Sequence, residues 1–224
     1  MRKILKKAIT FAFLIILIFA GAKLLKSRSD IIDVFDKAVH TSGTDSDWRL
    51  ILVNSSHAVP KGYSPDLMQL SNGVYIDSRI SPDLQNMFDD ARADGIYPVV
   101  GEGYRTHEQQ EDMMQDKINA FIDEGYSEKE AKNLAREWVA EAGKSEHELG
   151  LALDINADTS MCTDSDVYDW LAGNAYRYGF ILRYPSGSES ITGIDYEPWH
   201  YRYVGVDNAT EIYNKNITLE EYVS

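Results

Sequence analysis

Short apolar runs recur along most of the chain and indicate buried strands. Polar or glycine-rich stretches separate them, and each run is about as long as a strand in a small sheet. The first of these runs, LILV, opens the predicted domain, and the prolines and glycines that follow it mark a loop. The runs predict strands at residues 50–53, 96–104, 149–156, 180–184 and 200–204.

Apolar residues at helical spacing lie between these runs and predict helices. Pro82 follows a possible cap at Ser81 in the first helix, and Ser127 with Glu130 forms a capping box at the start of a later one. Because strands and helices follow each other without a regular βαβ order, the pattern favours an α+β domain in which helices flank a small antiparallel sheet. The predicted helices cover 78–95, a stretch from Thr106 that breaks near Gly125, 127–143, and 165–179 with its end at Gly179.

A basic segment followed by an apolar run opens the chain and has the form of an export signal. The apolar residues 8–22 would form a helix of about 22 Å, which is shorter than a hydrocarbon core of about 30 Å. Leucine and isoleucine residues on both sides can extend this span where lysine side chains snorkel. We favour a retained signal anchor, and the alternative is a signal peptide cleaved after Ala22. Both interpretations place the body outside the cytoplasm, either on a single-pass anchor in a bacterial cell membrane or secreted.

The chain therefore divides into three predicted parts. Residues 1–22 are the anchor or signal peptide, with an apolar helix at their centre. Residues 23–48 are a polar stalk in which 29–40 can form a helix, and residues 49–224 form the domain.

Charge and cysteine content narrow the range of functions. Residues 23–224 hold 18 Lys and Arg against 36 Asp and Glu, a net charge of −18, which would repel DNA, RNA and anionic lipid surfaces. Nucleic-acid binding is excluded on that ground. The single cysteine, Cys162, permits no intramolecular disulfide, and its surroundings indicate a small buried hydrophobe rather than a nucleophile.

Histidines and carboxylates at two places in the chain suggest a split metal site. His147 and Asp154 lie in SEHELGLALDI with six residues between them, and Glu197 and His200 lie in EPWHYRYV. A catalytic zinc ion usually takes three protein ligands and leaves a fourth position open. Each residue taken alone has a simpler explanation, such as a surface histidine or a turn carboxylate. Together they favour a metal, because Asp154 ends an apolar strand where an unpaired carboxylate would be costly to bury.

Two further residues near these motifs can support the site. Gly150, just after the histidine, suits a close backbone approach, and Trp199 can pack beside His200 and hold its ring.

Arg105 follows a glycine-rich turn and precedes a helix. It can either point into a cleft and donate to an oxyanion or be a surface arginine at a helix start, and the spacing alone does not decide between these roles.

Four blocks of sequence resemble the VanY-type D-alanyl-D-alanine carboxypeptidases, which are zinc peptidases of bacterial cell walls. LILVNSSHAVPKGYSPDL is similar to the opening strand and loop of the family, and GYRTHEQQ to its arginine motif. SEHELGLALDI fits the pattern Ser-x-His-x-x-Gly-x-x-x-Asp, and EPWHYRYVG fits Glu-x-x-His. The blocks occur in the family's order and span about residues 50–205.

This resemblance implies a fold, a reaction and a set of roles. The fold would be that of zinc D-Ala-D-Ala peptidases, and the partners would be peptidoglycan stem peptides that end in D-Ala-D-Ala. The implied zinc ligands are His147, Asp154 and His200. Glu197 would act as general base and later protonate the leaving amine, Arg105 would stabilise the oxyanion, and the substrate contacts would include Ser145, Gln110 and Tyr184.

The sequence departs from the family pattern at two places and leaves alternatives open. Residues 108–144 form a long helical insert, which can shape the pocket for a longer stem peptide. EGYR stands where the family more often has Ser-Gly before the aromatic residue, which concerns the loop geometry. An L,D-carboxypeptidase and a D,D-dipeptidase would use the same metal site. A non-catalytic wall-binding module is disfavoured because all the implied catalytic residues are present.

Overall fold

The computed structural model describes residues 47–224. Residues 47–224 form one compact unit. The predicted anchor, the helix at 29–40 and nearly all of the stalk lie outside the described residues. No helix within 47–224 combines the length and the apolar character needed to cross a membrane.

Six short strands form two antiparallel sheets within the described part of the chain. A two-stranded hairpin pairs β1 with β2, and the four-stranded sheet has the order β3-β4-β6-β5. Every pairing is antiparallel, and the β3–β4 pairing is irregular between Val100 and Glu102. The strands are β1 Leu67–Gln69, β2 Tyr75–Asp77, β3 Pro98–Glu102, β4 Ala152–Ala157, β5 Phe180–Leu182 and β6 His200–Tyr203.

Helices flank the four-stranded sheet, and side-chain caps define several of their starts. Capping boxes are formed by Thr106 with Gln109, by Ser127 with Glu130 and by Thr163 with Asp166. Each box satisfies backbone N–H groups that have no partner within the first turn. The helices are α1 Ser81–Ala93, α2 His107–Asp123, α3 Glu128–Trp138, α4 Asp164–Asn174, α5 Glu189–Thr192, α6 Val206–Lys215 and α7 Leu219–Val223.

The main core lies between α1, α4 and the inner face of the sheet. Met87 and Leu171 from these helices and Leu153, Ile155 and Phe180 from the strands are all buried in it. Cys162 packs against this cluster and accepts a hydrogen bond from the Tyr97 N–H. The prediction of an α+β domain with a small antiparallel sheet flanked by helices is confirmed.

The predicted strand at 50–53 is wrong. Trp48–Leu50 form a 3-10 helix, and the chain beyond it pairs with no strand of the described region. The Arg202 Nη2 explains the difference, because it donates to the carbonyl oxygens of Arg49 at 3.0 Å and Ile51 at 2.9 Å. A buried guanidinium therefore takes the acceptors that a neighbouring strand would have used.

Other predictions differ mainly in their boundaries. The helix predicted at 165–179 is α4 followed by a 3-10 helix, Ala175–Tyr178, and it ends as expected at Gly179, which has φ 85°. The helix predicted at 127–143 ends at Trp138. The β1–β2 hairpin and the C-terminal helices α6 and α7 were not predicted from the pattern.

Candidate metal and catalytic site

The three predicted metal ligands come from three elements that meet at one end of the sheet. His147 lies in a 3-10 helix, Glu146–Leu149, while Asp154 lies in β4 and His200 begins β6. Asp154 and His200 are direct partners in the β4–β6 register, so the antiparallel pairing alone brings these two side chains together.

Gly150 allows His147 to reach the same place. It ends the 3-10 helix with φ 72°, a conformation that favours glycine, and its carbonyl accepts the Asp77 N–H at 3.0 Å. A Cβ at this position would lie 3.1 Å from that same nitrogen. The close backbone approach expected at Gly150 is therefore present.

The donor atoms of the three residues converge. One ligand atom from each of His147, Asp154 and His200 lies within 4.8 Å of the others. Asp154 Oδ1 is 3.6 Å from His147 Nε2 and 3.3 Å from His200 Nδ1. The two imidazole rings meet edge to face, with their centroids 5.0 Å apart.

The other ring nitrogen of His147 is held by the backbone. His147 Nδ1 lies 2.7 Å from the carbonyl oxygen of Gly103, so the proton sits on Nδ1 and the lone pair on Nε2 points toward Asp154. A side chain at Gly103 would overlap the Tyr75 carbonyl and the Val74 side chain. This glycine of the EGYR turn is therefore required for the backbone to lie close enough to His147.

The electrostatics of the cluster suit a cation. Burial alone would raise the pKa of the Asp154 carboxyl. Its contacts with His147 and His200 have a larger, opposite effect, so the pKa of Asp154 lies well below its usual range. Burial lowers the pKa of His200, but Asp154 and Glu197 outweigh it and raise that pKa to about 9. Asp154 Oδ1 is also buried without a hydrogen-bond partner. Two imidazoles and a carboxylate with an unsatisfied oxygen are a donor set that fits Zn²⁺.

Glu197 lies beside this cluster on the side of the cleft. Its Oε2 is 3.3 Å from His200 Nδ1, and its side chain is 22% exposed. The Glu197 N–H donates to the Tyr184 carbonyl, and the Glu197 carbonyl accepts the His200 N–H. These two bonds fix the turn that carries Glu197, so its carboxylate is anchored near the predicted metal ligands and can reach solvent within the cleft.

Arg105 is buried at the cleft wall rather than exposed at a helix start. Its Nε and Nη2 bind the Glu102 carboxylate at 3.0 and 2.7 Å, and its Nη1 donates to Gln110 Oε1 at 2.5 Å. An arginine has five N–H donors, so one N–H on each terminal nitrogen remains for a ligand. Glu102 therefore orients the guanidinium, a role that was not predicted from the sequence. The sequence signal for this role was a carboxylate three residues before an arginine in the same turn.

Gln110 and Ser145 both line the cleft, in different ways. Gln110 is buried, and both of its amide atoms make a hydrogen bond, since its Oε1 accepts from Arg105 and its Nε2 donates to the Ala140 carbonyl. It therefore acts on Arg105 in this structure. Ser145 precedes the 3-10 helix of His147 and lies on the wall of the same cleft. That either residue contacts substrate stays a prediction.

Tyr184 packs on His200, the predicted metal ligand that Trp199 was expected to support. The Tyr184 ring centroid is 4.9 Å from the His200 ring, whereas Trp199 stands next to Tyr168 at 6.5 Å. Tyr184 and Trp199 both line the cleft, which has a volume of about 260 Å³. The cleft wall thus includes the tyrosine that was predicted to line it.

The long helical insert forms one wall of the cleft. Met113 from α2 and Trp138, Val139 and Ala140 at the end of α3 line it. Trp138 is 65% exposed, which is unusual for a tryptophan and places a large apolar surface at the cleft mouth.

A buried ion network behind the site was not predicted. Glu146 Oε1 accepts from Arg183 Nε at 2.9 Å and from Arg202 Nη1 at 2.8 Å, and Arg183 also binds Glu220. Both arginines are fully buried. The available signal was the arginine inside each of the apolar runs FILRY and HYRYV, because a buried cation needs a carboxylate partner.

The chain is similar to known D-alanyl-D-alanine carboxypeptidases. The profile of the family VanY, D-alanyl-D-alanine carboxypeptidase, matches residues 73–206. The chain is 53% identical over 182 residues to a D-alanyl-D-alanine carboxypeptidase of Enterococcus faecalis, covering 81% of this chain and 68% of that relative.

Two solved structures are similar in fold. One is VanYB in complex with D-alanine-D-alanine, with 54% identity, a TM-score of 0.76, and coverage of 79% of this chain and 97% of that chain. The other is a variant of the vancomycin resistance D,D-pentapeptidase VanY in complex with Zn(II), with 54% identity, a TM-score of 0.77, and coverage of 79% and 99% respectively.

Proposed function

Because this chain belongs to the VanY family of D-alanyl-D-alanine carboxypeptidases, we propose that it is a zinc-dependent D,D-carboxypeptidase that removes the terminal D-alanine from peptidoglycan stem peptides. One observation carries the proposal. The convergent donors of His147, Asp154 and His200 lie in the same cleft as the partly exposed Glu197 and the two free N–H groups of Arg105. A metal site, a base and an oxyanion donor are the parts that amide hydrolysis needs.

The metal would be held by His147 Nε2, Asp154 Oδ1 and His200 Nδ1, the atoms that converge. Bound zinc supplies Lewis-acid polarisation of the scissile carbonyl and lowers the pKa of water to about 7. Zn²⁺ is also the metal found in the similar D,D-pentapeptidase structure.

The protein's own residues do the proton transfers and stabilise charge. Glu197 takes a proton from the attacking water and then gives it to the nitrogen of the departing D-alanine, which leaves as a neutral amine. The remaining N–H groups of Arg105 donate to the carbonyl oxygen as negative charge develops on it. Glu102 and Gln110 keep the guanidinium in place, so no reorganisation is needed as the charge forms.

A second groove runs on from the catalytic cleft and can hold the rest of the stem. It has a volume of about 120 Å³ and shares Val139, Ala140, Tyr184 and Ile194 with the cleft. Lys144 lines this groove and makes no ion pair with any residue in 47–224. The groove thus offers binding energy to a stem peptide that a free dipeptide cannot use.

We expect the protein to release one D-alanine from a muramyl pentapeptide faster than it cleaves free D-Ala-D-Ala. The measurement is a side-by-side comparison of kcat/KM with mass detection of the products from pentapeptide, tetrapeptide and dipeptide. Preference for the dipeptide would make the protein a D,D-dipeptidase, and release of alanine from the tetrapeptide alone would make it an L,D-carboxypeptidase. Cleavage of none of them by the zinc-loaded protein would favour a wall-binding module.

Lys144→Met sharpens this comparison. If the stem occupies the second groove, the variant should lower kcat/KM for the pentapeptide and leave the rate on a short acyl-D-Ala-D-Ala substrate unchanged. An exposed lysine outside the groove, Lys132, provides the matched control as Lys132→Met. Equal rates of all three proteins on the pentapeptide would contradict use of the groove.

The location of the protein is a separate proposal that rests on the sequence. Residues 8–22 would anchor it in the bacterial cell membrane with the domain outside, or the domain would be secreted after cleavage at Ala22. We expect the full chain to stay in the membrane pellet after alkaline extraction and the chain without residues 1–22 to leave it. A mature N-terminus at residue 23 in the medium would instead establish cleavage, and full-length protein in the cytoplasm would contradict both.

A further inference from the structure

Glu146 is a buried carboxylate that the proposed reaction does not use. It is 2% exposed, and both of its neighbours in the ion network, Arg183 and Arg202, are fully buried. Glu146 Oε1 accepts from both arginines, at 2.9 and 2.8 Å. The arginines are fixed in turn, Arg183 by Glu220 and Arg202 by three backbone carbonyls. The position of the Glu146 carboxylate is therefore set from several elements of the fold.

The second oxygen of Glu146 faces a metal ligand. Glu146 Oε2 lies 4.0 Å from His200 Nε2, and both atoms are buried without a hydrogen-bond partner. The other nitrogen of His200, Nδ1, lies 3.3 Å from Asp154 Oδ1 and 3.3 Å from Glu197 Oε2. The ring therefore has one nitrogen in the metal cluster and the other directed at a fixed carboxylate oxygen.

We propose that Glu146 is a positioning residue that keeps a proton on His200 Nε2, so that Nδ1 is the nitrogen that gives up its proton and binds the metal. This rests on the metal site proposed above. A separation of 4.0 Å is too long for a direct hydrogen bond, but in a water-excluded interior a carboxylate at that distance favours an N–H facing it over a lone pair. Metal-binding histidines are commonly oriented in this way by a carboxylate on their other nitrogen.

Glu146→Gln tests this role. The glutamine Oε1 can still accept from both arginines, and because arginine only donates, the amide NH₂ must take the place of Oε2. An N–H donor then faces His200 Nε2 and favours the proton on Nδ1, which opposes metal binding there. We expect zinc affinity, measured by competition with a chromophoric chelator, to fall about 10–100-fold.

Glu220→Gln is the matched control. Glu220 binds the same Arg183 through both terminal nitrogens, at 2.9 and 2.6 Å, and has no contact with His200. Both variants disturb the buried network, so both should lower the unfolding temperature, but only Glu146→Gln should lower zinc affinity. Wild-type zinc affinity in Glu146→Gln, or an equal loss in both variants, would overturn the proposal. Failure of the wild-type protein to bind zinc would instead overturn the proposed function.

The protonated nitrogen of each imidazole can also be identified in the wild-type zinc protein, so this test does not depend on the folding of a variant. Imidazole ¹⁵N chemical shifts report which nitrogen carries the proton. We expect two metal-bound rings of opposite tautomer, since the Gly103 carbonyl holds the His147 proton on Nδ1 at 2.7 Å and Glu146 holds that of His200 on Nε2. Two rings that both carry the proton on Nδ1 would overturn the role of Glu146.

Discussion

Glu197→Gln will bind zinc nearly as well as the wild-type protein and will lose about 10²–10⁴-fold in kcat. Glutamine keeps the size of the side chain and the backbone bonds that fix its turn, but it cannot take a proton from water. Glu197 is placed for this transfer because its carboxylate is 3.3 Å from His200, a proposed metal ligand, and is partly exposed in the cleft. Zinc content and steady-state kinetics on the pentapeptide, measured on the same preparation, check both halves of the prediction.

The two glutamates beside His147 are held by other contacts, although Glu146 Oε2 faces His200 Nε2 without a hydrogen-bond partner. Glu146 Oε1 is bound by two arginines, and Glu148 accepts from the Gly143 N–H at 2.7 Å and pairs with His107 at 3.0 Å. Glu148→Gln is therefore the matched control and should keep turnover close to wild type. Wild-type turnover in Glu197→Gln would contradict its role and require another base.

The convergence of the metal donors could be predicted from sequence because the signals are local. The Ser-x-His-x-x-Gly-x-x-x-Asp block places His147 before a glycine turn and Asp154 in the following strand. His200 begins another apolar run, and antiparallel pairing of the two strands sets it opposite Asp154. The ligand-type residues, the cost of burying Asp154 after an apolar run, and the family motifs that the two blocks resemble were enough to predict these positions.

The surroundings of the site could not be predicted in the same way. Arg202 takes the carbonyl oxygens of residues about 150 positions earlier, which is why the apolar run at 50–53 is not a strand. The contact of Glu146 with Arg183 and Arg202 likewise joins segments far apart in the chain. A local sequence pattern indicates that a buried arginine needs an acidic partner, but it does not indicate which carboxylate of the chain becomes that partner.

Removal of the metal will abolish activity, and added zinc will restore it. Bound zinc would polarise the carbonyl and lower the pKa of water, and no other residue of the cleft can supply that chemistry. The wild-type protein should hold about one zinc per chain, since the described residues bring together one group of three donors, and Asp154→Ala should lose both zinc and activity. Metal analysis before and after a strong chelator, with activity at each stage, provides the measurement. Undiminished activity in protein proved metal-free would contradict the zinc mechanism.

The stability of the metal-free protein gives this prediction a second readout. Asp154 and Glu197 raise the pKa of His200 to about 9 against burial, from an ordinary value of 6.5. A raised histidine pKa stabilises the folded state fully below the ordinary value, and that stabilisation is lost as the pH rises through the folded value. The unfolding free energy of the metal-free protein should therefore decrease between about pH 6.5 and pH 9. Zinc binding displaces this proton, so the zinc-loaded protein should lack the decrease. A decrease that persists in protein shown to hold zinc would contradict metal binding by His200.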